Sequence, residues 1–306
     1  MVSSACLTPR FVTLAELSQR TGSSSAPPSI IRKRRGKKAM NSAISRKSAI
    51  VFNRVILCSV VALSLGSYLW QPVRLLGWVI DVLIRTYLHF VAGAMAHEAT
   101  HGHLGTSRQA NLWWGRIALI PTTVPNVTFR KTHLHHHAAT NIPEKDPDEF
   151  LNTKRSWEIP LRALVMPHHW VFWLRKQGRF TRRDLLEYVL TYVAYVAIYG
   201  SIAIFAGVER VLLGLFPAAI LHSFLLWYFF AIKTHEGYST GAAETRSHNY
   251  YGRWIYWFSF GLSMHRLHHL NPGLAWLQMA KEVPSGTWLQ RFRAERDIRP
   301  DLKRAA

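Results

Sequence analysis

The sequence predicts an all-α integral membrane protein with four transmembrane helices arranged as two hairpins. Three observations lead to this fold class: few charged residues, a large excess of basic residues, and four long apolar stretches. Of the 306 residues, 49% are hydrophobic and 18% are charged, whereas a soluble domain has about 25% charged residues. Lysine and arginine total 38 against 17 acidic residues, which gives a net charge of +21. An apolar and basic chain is typical of a membrane protein with a basic cytoplasmic face.

The four apolar stretches are each close to the roughly 20 residues that cross about 30 Å of hydrocarbon as a helix, although the first is somewhat short. Short turns, QPVR and GVER, join the first pair and the last pair, so each pair is expected to form a helical hairpin. The second stretch contains Asp81 and Arg85, whose spacing places them on one helix face and predicts an ion pair. The stretches are residues 55–70, 75–96, 186–206 and 211–232.

The distribution of basic residues predicts the orientation in the membrane. Nearly all Lys and Arg residues lie in the N-terminal tail, in residues 97–185 and in residues 233–306. By the positive-inside rule these three parts, and therefore both termini, are cytoplasmic. Within the long loop, residues 156–176 mix Trp with basic residues and predict a helix in the membrane interface. A nucleic-acid-binding protein, the other interpretation of a high pI, fits poorly with the apolar stretches.

The first candidate site is the stretch HEATHGH, residues 97–103, at the end of the second apolar stretch. It matches H-E-x-x-H, the signature of zinc proteases, in which Glu98 would be the general base. The same letters also fit one of several histidine boxes that together hold two metal ions. On a continuing helix, His97 and His101 share a face and can bind one metal from the same side. This stretch alone leaves both interpretations open.

Two further histidine boxes favour a site with two metals. Adjacent histidines on a helix cannot both point the same way, so a pair such as His136 and His137 suits two metals better than one. Eight histidines in three boxes also exceed the three protein ligands of a catalytic zinc. His235, just beyond the fourth apolar stretch, is a ninth candidate ligand. Both boxes have the spacing H-x-x-H-H, formed by His133, His136 and His137 in HLHHH and by His265, His268 and His269 in HRLHH.

Other histidines near the boxes or inside the apolar stretches are expected not to be ligands. His103, His135 and His248 lie near the boxes but off their pattern. We expect them to neighbour the ligands or to lie at the surface, and for His103 a ligand role stays open. His89 and His222 lie within apolar stretches and are predicted to be hydrogen-bonded helix histidines.

The three boxes HEATH, HLHHH and HRLHH resemble those of the integral-membrane fatty acid desaturase and hydroxylase superfamily. Flanking segments are similar too, namely HLHHHAATNIPEKDPDEF, TRSHNYYGRWIYWFSF and MHRLHHLNPGLAWLQM. The similarity covers roughly residues 55–285. Met264 and the pair Arg266–Leu267 depart from it, because related sequences often carry Asn-Tyr and an acid-containing pair there. A carotenoid or sterol hydroxylase, or a ketolase, therefore stays open beside a desaturase.

The resemblance implies a cytoplasmic helical cap over the four-helix stem, with a di-iron site held largely by histidine. The desaturase-like membrane domain is expected at residues 51–285. A disordered basic cytoplasmic tail is expected at residues 1–50, with Met40 as an alternative start, and a basic C-terminal tail at residues 286–306. His235 resembles a further histidine of the family. Carried over by position, the metal ligands are His97, His101, His133, His136, His137, His265, His268 and His269.

The resemblance also implies an oxidoreductase that uses O₂ as co-substrate at two Fe ions and acts on a lipid hydrocarbon chain. The expected function is a fatty acid desaturase acting on an acyl-lipid or an acyl-thioester. A lipid or carotenoid hydroxylase or ketolase is the alternative, and a membrane zinc metalloprotease is a distant one. The sequence shows no haem, flavin or nucleotide motif, so electrons are expected from a separate donor such as a ferredoxin or cytochrome b5. The basic cytoplasmic face would attract an acidic donor.

Overall fold

The computed structural model describes residues 44–283 except 71, 73, 154, 225–228, 230–232, 236–245 and 251, all within the structural unit Ala43–Ala306. Every regular element in this part of the chain is a helix, which confirms the predicted all-α class. The α-helices are α1 (Arg46–Gly66), α2 (Leu75–Thr100), α3 (Arg108–Ala118), α4 (Asn126–Ala139), α5 (Ile159–Lys176), α6 (Arg182–Ala206), α7 (Val208–Leu221), α8 (Arg253–Phe258), α9 (His265–Leu270) and α10 (Trp276–Met279). Short 3-10 helices occupy Ser67–Leu69, Pro147–Leu151, Ser156–Glu158, Leu262–Met264 and Ala280–Glu282.

Three of these helices are long and apolar enough to cross a membrane: α1 with its 3-10 extension, α2 and α6. They contain 24, 26 and 25 residues and correspond to the first three predicted spans. α6 exposes apolar side chains such as Val196, Ile204 and Phe205. Because contact of apolar surface with water costs about 25 cal/mol per Å², this face of α6 is suited to lipid.

The fourth predicted span, residues 211–232, lies partly outside the described residues. α7 covers its first part in 14 residues and contains Pro217, while residues 225–228 and 230–232 are not described. The fourth span therefore stays a prediction. Residues 1–43 and 284–306, which hold most of the two predicted tails, also lie outside the described residues, and α1 begins at Arg46.

The predicted pair of Asp81 and Arg85 forms within α2 and extends to α7. Nε of Arg85 lies 2.9 Å from Oδ2 of Asp81, and Nη2 of Arg210 lies 3.0 Å from the same oxygen. The Arg85 guanidinium lies 3.8 Å from the ring centroid of Tyr68. Gly214 of α7 packs against both, since a Cβ there would lie 3.0 Å from Tyr68 and 3.2 Å from Arg85. This buried network joins the first hairpin to α7.

The remaining helices gather around the C-terminal end of α2. α3 packs along α2, α4 contacts α2, α3 and α5, and α10 contacts α1. Trp276 of α10 is buried in the shared apolar core, and its Nε1 donates a hydrogen bond to Oδ1 of Asn53 at 2.8 Å. Gly261 adopts φ +77°, and a Cβ there would lie 2.7 Å from Cβ of Trp276. The turn before α9 therefore requires glycine.

α5 forms where the sequence predicts an interfacial helix. Ile159, Ala163, Met166, Trp170 and Leu174 are buried on its inner face. Its outer face exposes the apolar side chains of Leu161, Val165 and Phe172, which recur with helical spacing along one stripe. An exposed apolar stripe on a helix that ends in Arg175 and Lys176 is typical of helices that lie at a membrane surface.

Candidate metal centre

Each histidine box lies on a helix, as the spacing of the histidines predicts. α2 continues through the first box, so that His97 is one turn before His101, which ends the helix. The second box lies on α4, which begins after Pro125, a residue whose fixed φ angle suits the start of a helix. The third box forms α9, which begins at His265. These three helices meet at the C-terminal end of α2.

All nine histidines that were singled out as ligands come together in two adjacent clusters. Within each cluster the potential ligand atoms lie within 4.8 Å of one another. The five-histidine cluster takes members from all three boxes, and the four-histidine cluster takes members from boxes two and three together with His235. The five-histidine cluster contains His97, His101, His133, His137 and His268, and the four-histidine cluster contains His136, His235, His265 and His269.

The imidazole Nε2 atoms converge within each cluster. In the five-histidine cluster the Nε2 of His268 lies 2.9 Å from that of His97 and 3.1 Å from that of His137. The Nε2 of His133 lies 2.9 Å from that of His101 and 3.0 Å from that of His137. A neutral imidazole carries one proton, so a single Nε2 can donate to only one of two such neighbours. Convergence of many Nε2 atoms on one point is the arrangement of metal ligands.

The four-histidine cluster shows most directly that these residues fit a cation. Nδ1–H of His136 donates to the Asp146 carboxylate at 3.0 Å, and Nδ1–H of His235 donates to the carbonyl oxygen of Arg246 at 3.0 Å. In the deprotonated form that metal binding requires, these bonds leave the lone pair of each ring on Nε2. The two Nε2 atoms nevertheless face each other at 3.1 Å. Once His136 is deprotonated, the two lone pairs would repel at this distance, and a metal ion between them would remove the repulsion.

Burial keeps most of these imidazoles in the neutral form that metal binding requires. The pKa values of His133, His265, His268 and His269 lie well below the ordinary value of histidine, first because burial disfavours the charged form and second because neighbouring histidines repel it. The same two causes lower the pKa of His137 to about 2. These five imidazoles are therefore expected to present lone pairs at neutral pH, whereas His136 must lose a proton to bind a metal.

Asp146 supports the four-histidine cluster from a loop after the second box. Burial lowers the pKa of His136, but the Asp146 and Asp148 carboxylates outweigh it and raise this pKa to about 9. The backbone N–H groups of Asn141 and Asp148 hold Asp146 in place at 2.7 and 3.0 Å. A carboxylate that accepts from the far nitrogen of a ligating histidine fixes the ring and makes it a better donor to the metal. Asp146 belongs to the DPD segment of the sequence, and its role beside a histidine of the second box was not predicted from that segment.

The structure places Glu98 away from the position that a zinc protease would need. Its side chain is buried, and Oε2 accepts hydrogen bonds from Nδ1 of His103 at 3.1 Å and from the backbone N–H of Trp276 at 3.2 Å. Oε1 lies 3.8 Å from Nδ1 of His97, which is the side of that ring opposite the cluster. A general base must reach a metal-bound water, and this carboxylate instead joins box one to α10. His103 belongs to neither cluster and neighbours box one.

Other predictions about single histidines are partly corrected. His89 is buried in α2, but neither of its ring nitrogens has a hydrogen-bond partner among the described residues, so the prediction of a hydrogen-bonded histidine is wrong for this residue. Its ring meets that of His222 edge-on at 6.2 Å. His135 lies on the outer side of α4, where its Nε2 is 2.6 Å from Nη1 of Arg179. His248 is buried and lies near enough to His235 to affect its pKa, as one of the two predicted positions for this residue implies.

The fold and the site together define a helical membrane protein with two clusters of histidine side chains suited to metal ions. Residues 72–284 match the model of the fatty acid desaturase family, and the chain belongs to this family. A stretch of 84 residues is 27% identical to the omega-3 fatty acid desaturase fat-1 of Caenorhabditis elegans. That stretch covers 28% of this chain and about a fifth, 21%, of the relative's length.

Proposed function

We propose that this protein is a membrane di-iron oxidoreductase that uses O₂ and external electrons to modify a lipid hydrocarbon chain, and that it acts as a fatty acid desaturase. The observation that carries the proposal is the pair of adjacent histidine clusters. The family membership supports the same chemistry. Nine imidazoles in two groups exceed the needs of one catalytic zinc, which takes three protein ligands and a water.

Iron is the metal we propose for both clusters, with the nine clustered histidines as its ligands. Imidazole ligands suit iron as well as zinc, copper and nickel, so the choice rests on the family. Two bound irons would supply the reduction of O₂ and the removal of hydrogen from an unactivated C–H bond. The helices α2, α4 and α9 hold the ligands rigidly, and Asp146 and the Arg246 carbonyl orient two of them.

Desaturation and hydroxylation share this metal site, and the placement of the second C–H bond decides between them. The first removes two adjacent hydrogens, whereas the second returns a hydroxyl group to one carbon. We favour desaturation because both the family and the omega-3 desaturase relative carry that description. Lipid or carotenoid hydroxylation or ketolation is the alternative outcome of the same experiment.

We also propose a topology with four spans and a cytoplasmic helical cap. The fourth span would be residues 211–232, and both termini and all three boxes would be cytoplasmic. Supporting this, the N-terminal end of α6 carries Arg182 and Arg183, and the end of α5 nearby carries Arg175 and Lys176. Positive charge on one side of a span is typical of the cytoplasmic side.

An acidic one-electron donor, such as a ferredoxin or cytochrome b5, is the proposed redox partner. The exposed residues Arg175, Lys176, Arg179, Arg182 and Arg183 form what we call the basic surface. Arg179 contacts His135 of α4, and His135 is the sequence neighbour of the cluster residue His136. The basic surface therefore lies one helix away from the histidine clusters, and we propose that an acidic donor docks there.

Metal analysis and lipid profiling test this function together. We expect about two irons per chain in the purified protein and new unsaturated chains when it is expressed in a host that lacks it. His268→Ala should abolish the product and lower the iron content. His169→Ala is the matched control, because His169 lies on α5 and belongs to neither cluster. One zinc per chain with no change in lipids would contradict the proposal, and hydroxylated chains would favour the alternative.

A further inference from the structure

A cavity of about 340 Å³ lies among α2, α4, α5, α6 and α7. This volume is within the range of roughly 300–1,000 Å³ that small-molecule sites occupy. Its walls are mostly apolar and include Phe129, Met166, Trp170 and Leu215. None of the described residues that line it is a lysine, arginine, aspartate or glutamate. The lining therefore suits an uncharged, largely hydrocarbon ligand.

The cavity lies directly beside the five-histidine cluster. Gly93 of α2 and Phe129 of α4 line it, and each lies four residues before a cluster member, His97 or His133. Residues four apart lie on one helix face about 6 Å apart. The Phe129 ring also stacks on that of His133, with centroids 5.8 Å apart and planes 3° apart. A chain inside the cavity would lie within about one helical turn of the five-histidine cluster.

The cavity opens onto an apolar part of the protein surface. Leu164 and Val165 of α5 and Phe216 of α7 line it, and they are 39%, 47% and 54% exposed. α5 and α7 are in contact, so these residues form the rim of an opening between two helices. Val165 belongs to the exposed apolar stripe of α5 described above. Such surfaces on a membrane protein face lipid, so the opening faces the bilayer.

Arg162, a cation beside this opening, is already bonded within the protein and so is not free to bind a phosphate group. Arg162 immediately precedes the lining segment of α5. Its Nε and Nη2 lie 2.9 and 2.6 Å from Oε2 of Glu158, and its Nη1 donates to the carbonyl oxygen of Phe150. A water-soluble acyl carrier bears phosphate groups, which proteins bind with unpaired arginine or lysine side chains. The rim residues Leu164, Val165 and Phe216 provide no such side chain, and Arg162 is already paired with Glu158.

We infer that the cavity receives the hydrocarbon chain of a bilayer lipid sideways, through the opening between α5 and α7, while the headgroup stays in the membrane. The substrate class is then a chain attached to a membrane lipid, and not a chain carried on a water-soluble thioester. This inference rests on the proposed function and specifies its substrate.

Vesicles of an ether-linked phosphatidylcholine test the substrate class. An ether-linked chain cannot be transferred to a soluble carrier, so its conversion requires that it reach the site from the bilayer. The iron-loaded protein, with its reduction verified, is given these vesicles, or the same chain as a coenzyme A thioester or an acyl-carrier-protein thioester. We expect conversion of the ether lipid, with rates on both thioesters at least about tenfold lower. Conversion of thioesters alone would overturn the inference and leave the proposed function intact, whereas no product from any source would overturn both.

Two tryptophan variants of α5 test the opening. Val165→Trp places a large side chain on the rim, whereas Leu161→Trp adds the same side chain one turn earlier on the same exposed stripe, outside the cavity lining. Both positions are exposed, so both variants should fold. We expect V165W to lower the rate on the ether lipid at least about tenfold and L161W to change it less than about twofold.

A binding measurement makes the test of the opening independent of turnover. A photoreactive diazirine on the ether-linked chain should label cavity residues in a saturable way, and unlabelled lipid should compete with this labelling. The labelling should be retained in L161W and lost in V165W. Equal labelling and equal rates in the two variants would show that the chain does not pass between α5 and α7.

Discussion

At the scale of single residues, the hydrogen bonds behind the ligands decide how each imidazole presents itself to a metal. Asp146 accepts the Nδ1 proton of His136 and is itself held by two backbone N–H groups. Glu98 instead accepts from His103 and from the backbone of Trp276. The first carboxylate therefore acts on a ligand, and the second joins two segments of the chain.

Asp146→Asn is expected to weaken metal binding by about 10- to 100-fold, because the amide supplies no negative charge to the His136 ring. The four-histidine cluster should lose its metal first. Iron per chain and a chelator competition titration measure this effect. Asp148→Asn is the matched control, since Asp148 lies 3.5 Å from the same nitrogen and its side chain is 23% exposed. Equal affinities in D146N and D148N would contradict the positioning role of Asp146.

Glu98→Gln separates the oxidoreductase from the zinc protease. In a protease the loss of the general base removes nearly all activity and leaves the metal bound. Here the carboxylate is buried behind box one, so we expect the variant to keep its iron and more than about a tenth of its lipid-modifying activity. Iron content and product rate are measured on the same preparation. Full metal content with almost no activity would argue for Glu98 as a base.

At the scale of helices, composition and spacing predicted the elements that carry the boxes, because apolar length and i,i+4 spacing are local properties. α1, α2 and α6 match the first three predicted spans. As adjacent histidines on a helix predict, His136 and His137 of α4 belong to different clusters. Contacts between distant segments were not predictable in this way. Asp146 bonds to His136 across an irregular loop, and Arg210 of α7 pairs with Asp81 of α2. Neither pair has a regular spacing in the sequence, so no sequence pattern could predict it.

The buried network of Asp81, Arg85 and Arg210 leads to a prediction about how the hairpins are held together. It contains one anion and two cations, and its members Asp81 and Arg85 are almost fully buried. Asp81→Asn leaves two cations without a counter-ion, which should destabilise the stem by about 3 kcal/mol or more. Arg85→Met keeps most of the volume and leaves a neutral Asp81–Arg210 pair. Thermal unfolding in lipid nanodiscs should give a lower Tm for D81N than for R85M, and the reverse order would contradict this account.

At the scale of the whole molecule, the site lies between two surfaces of opposite character. The cavity reaches the five-histidine cluster from the apolar side, past Phe129. The basic surface lies on the other side of α4, where Arg179 contacts His135. A lipid chain and an electron donor can therefore approach the proposed irons at the same time without competing for space.

The charge of the basic surface predicts that electron delivery depends on ionic strength. Attraction between exposed charges is screened over about 8 Å at physiological salt and over about 3 Å at 1 M, so an acidic donor should dock more slowly as salt rises. Under donor-limited conditions, turnover should fall steeply between low and high salt. Arg182→Glu combined with Arg183→Glu should lower turnover at low salt and flatten its salt dependence. A small uncharged reductant is the control, because its reaction needs no docking and should respond to neither change. If turnover with the protein donor is also independent of salt and of these two substitutions, the donor binds elsewhere.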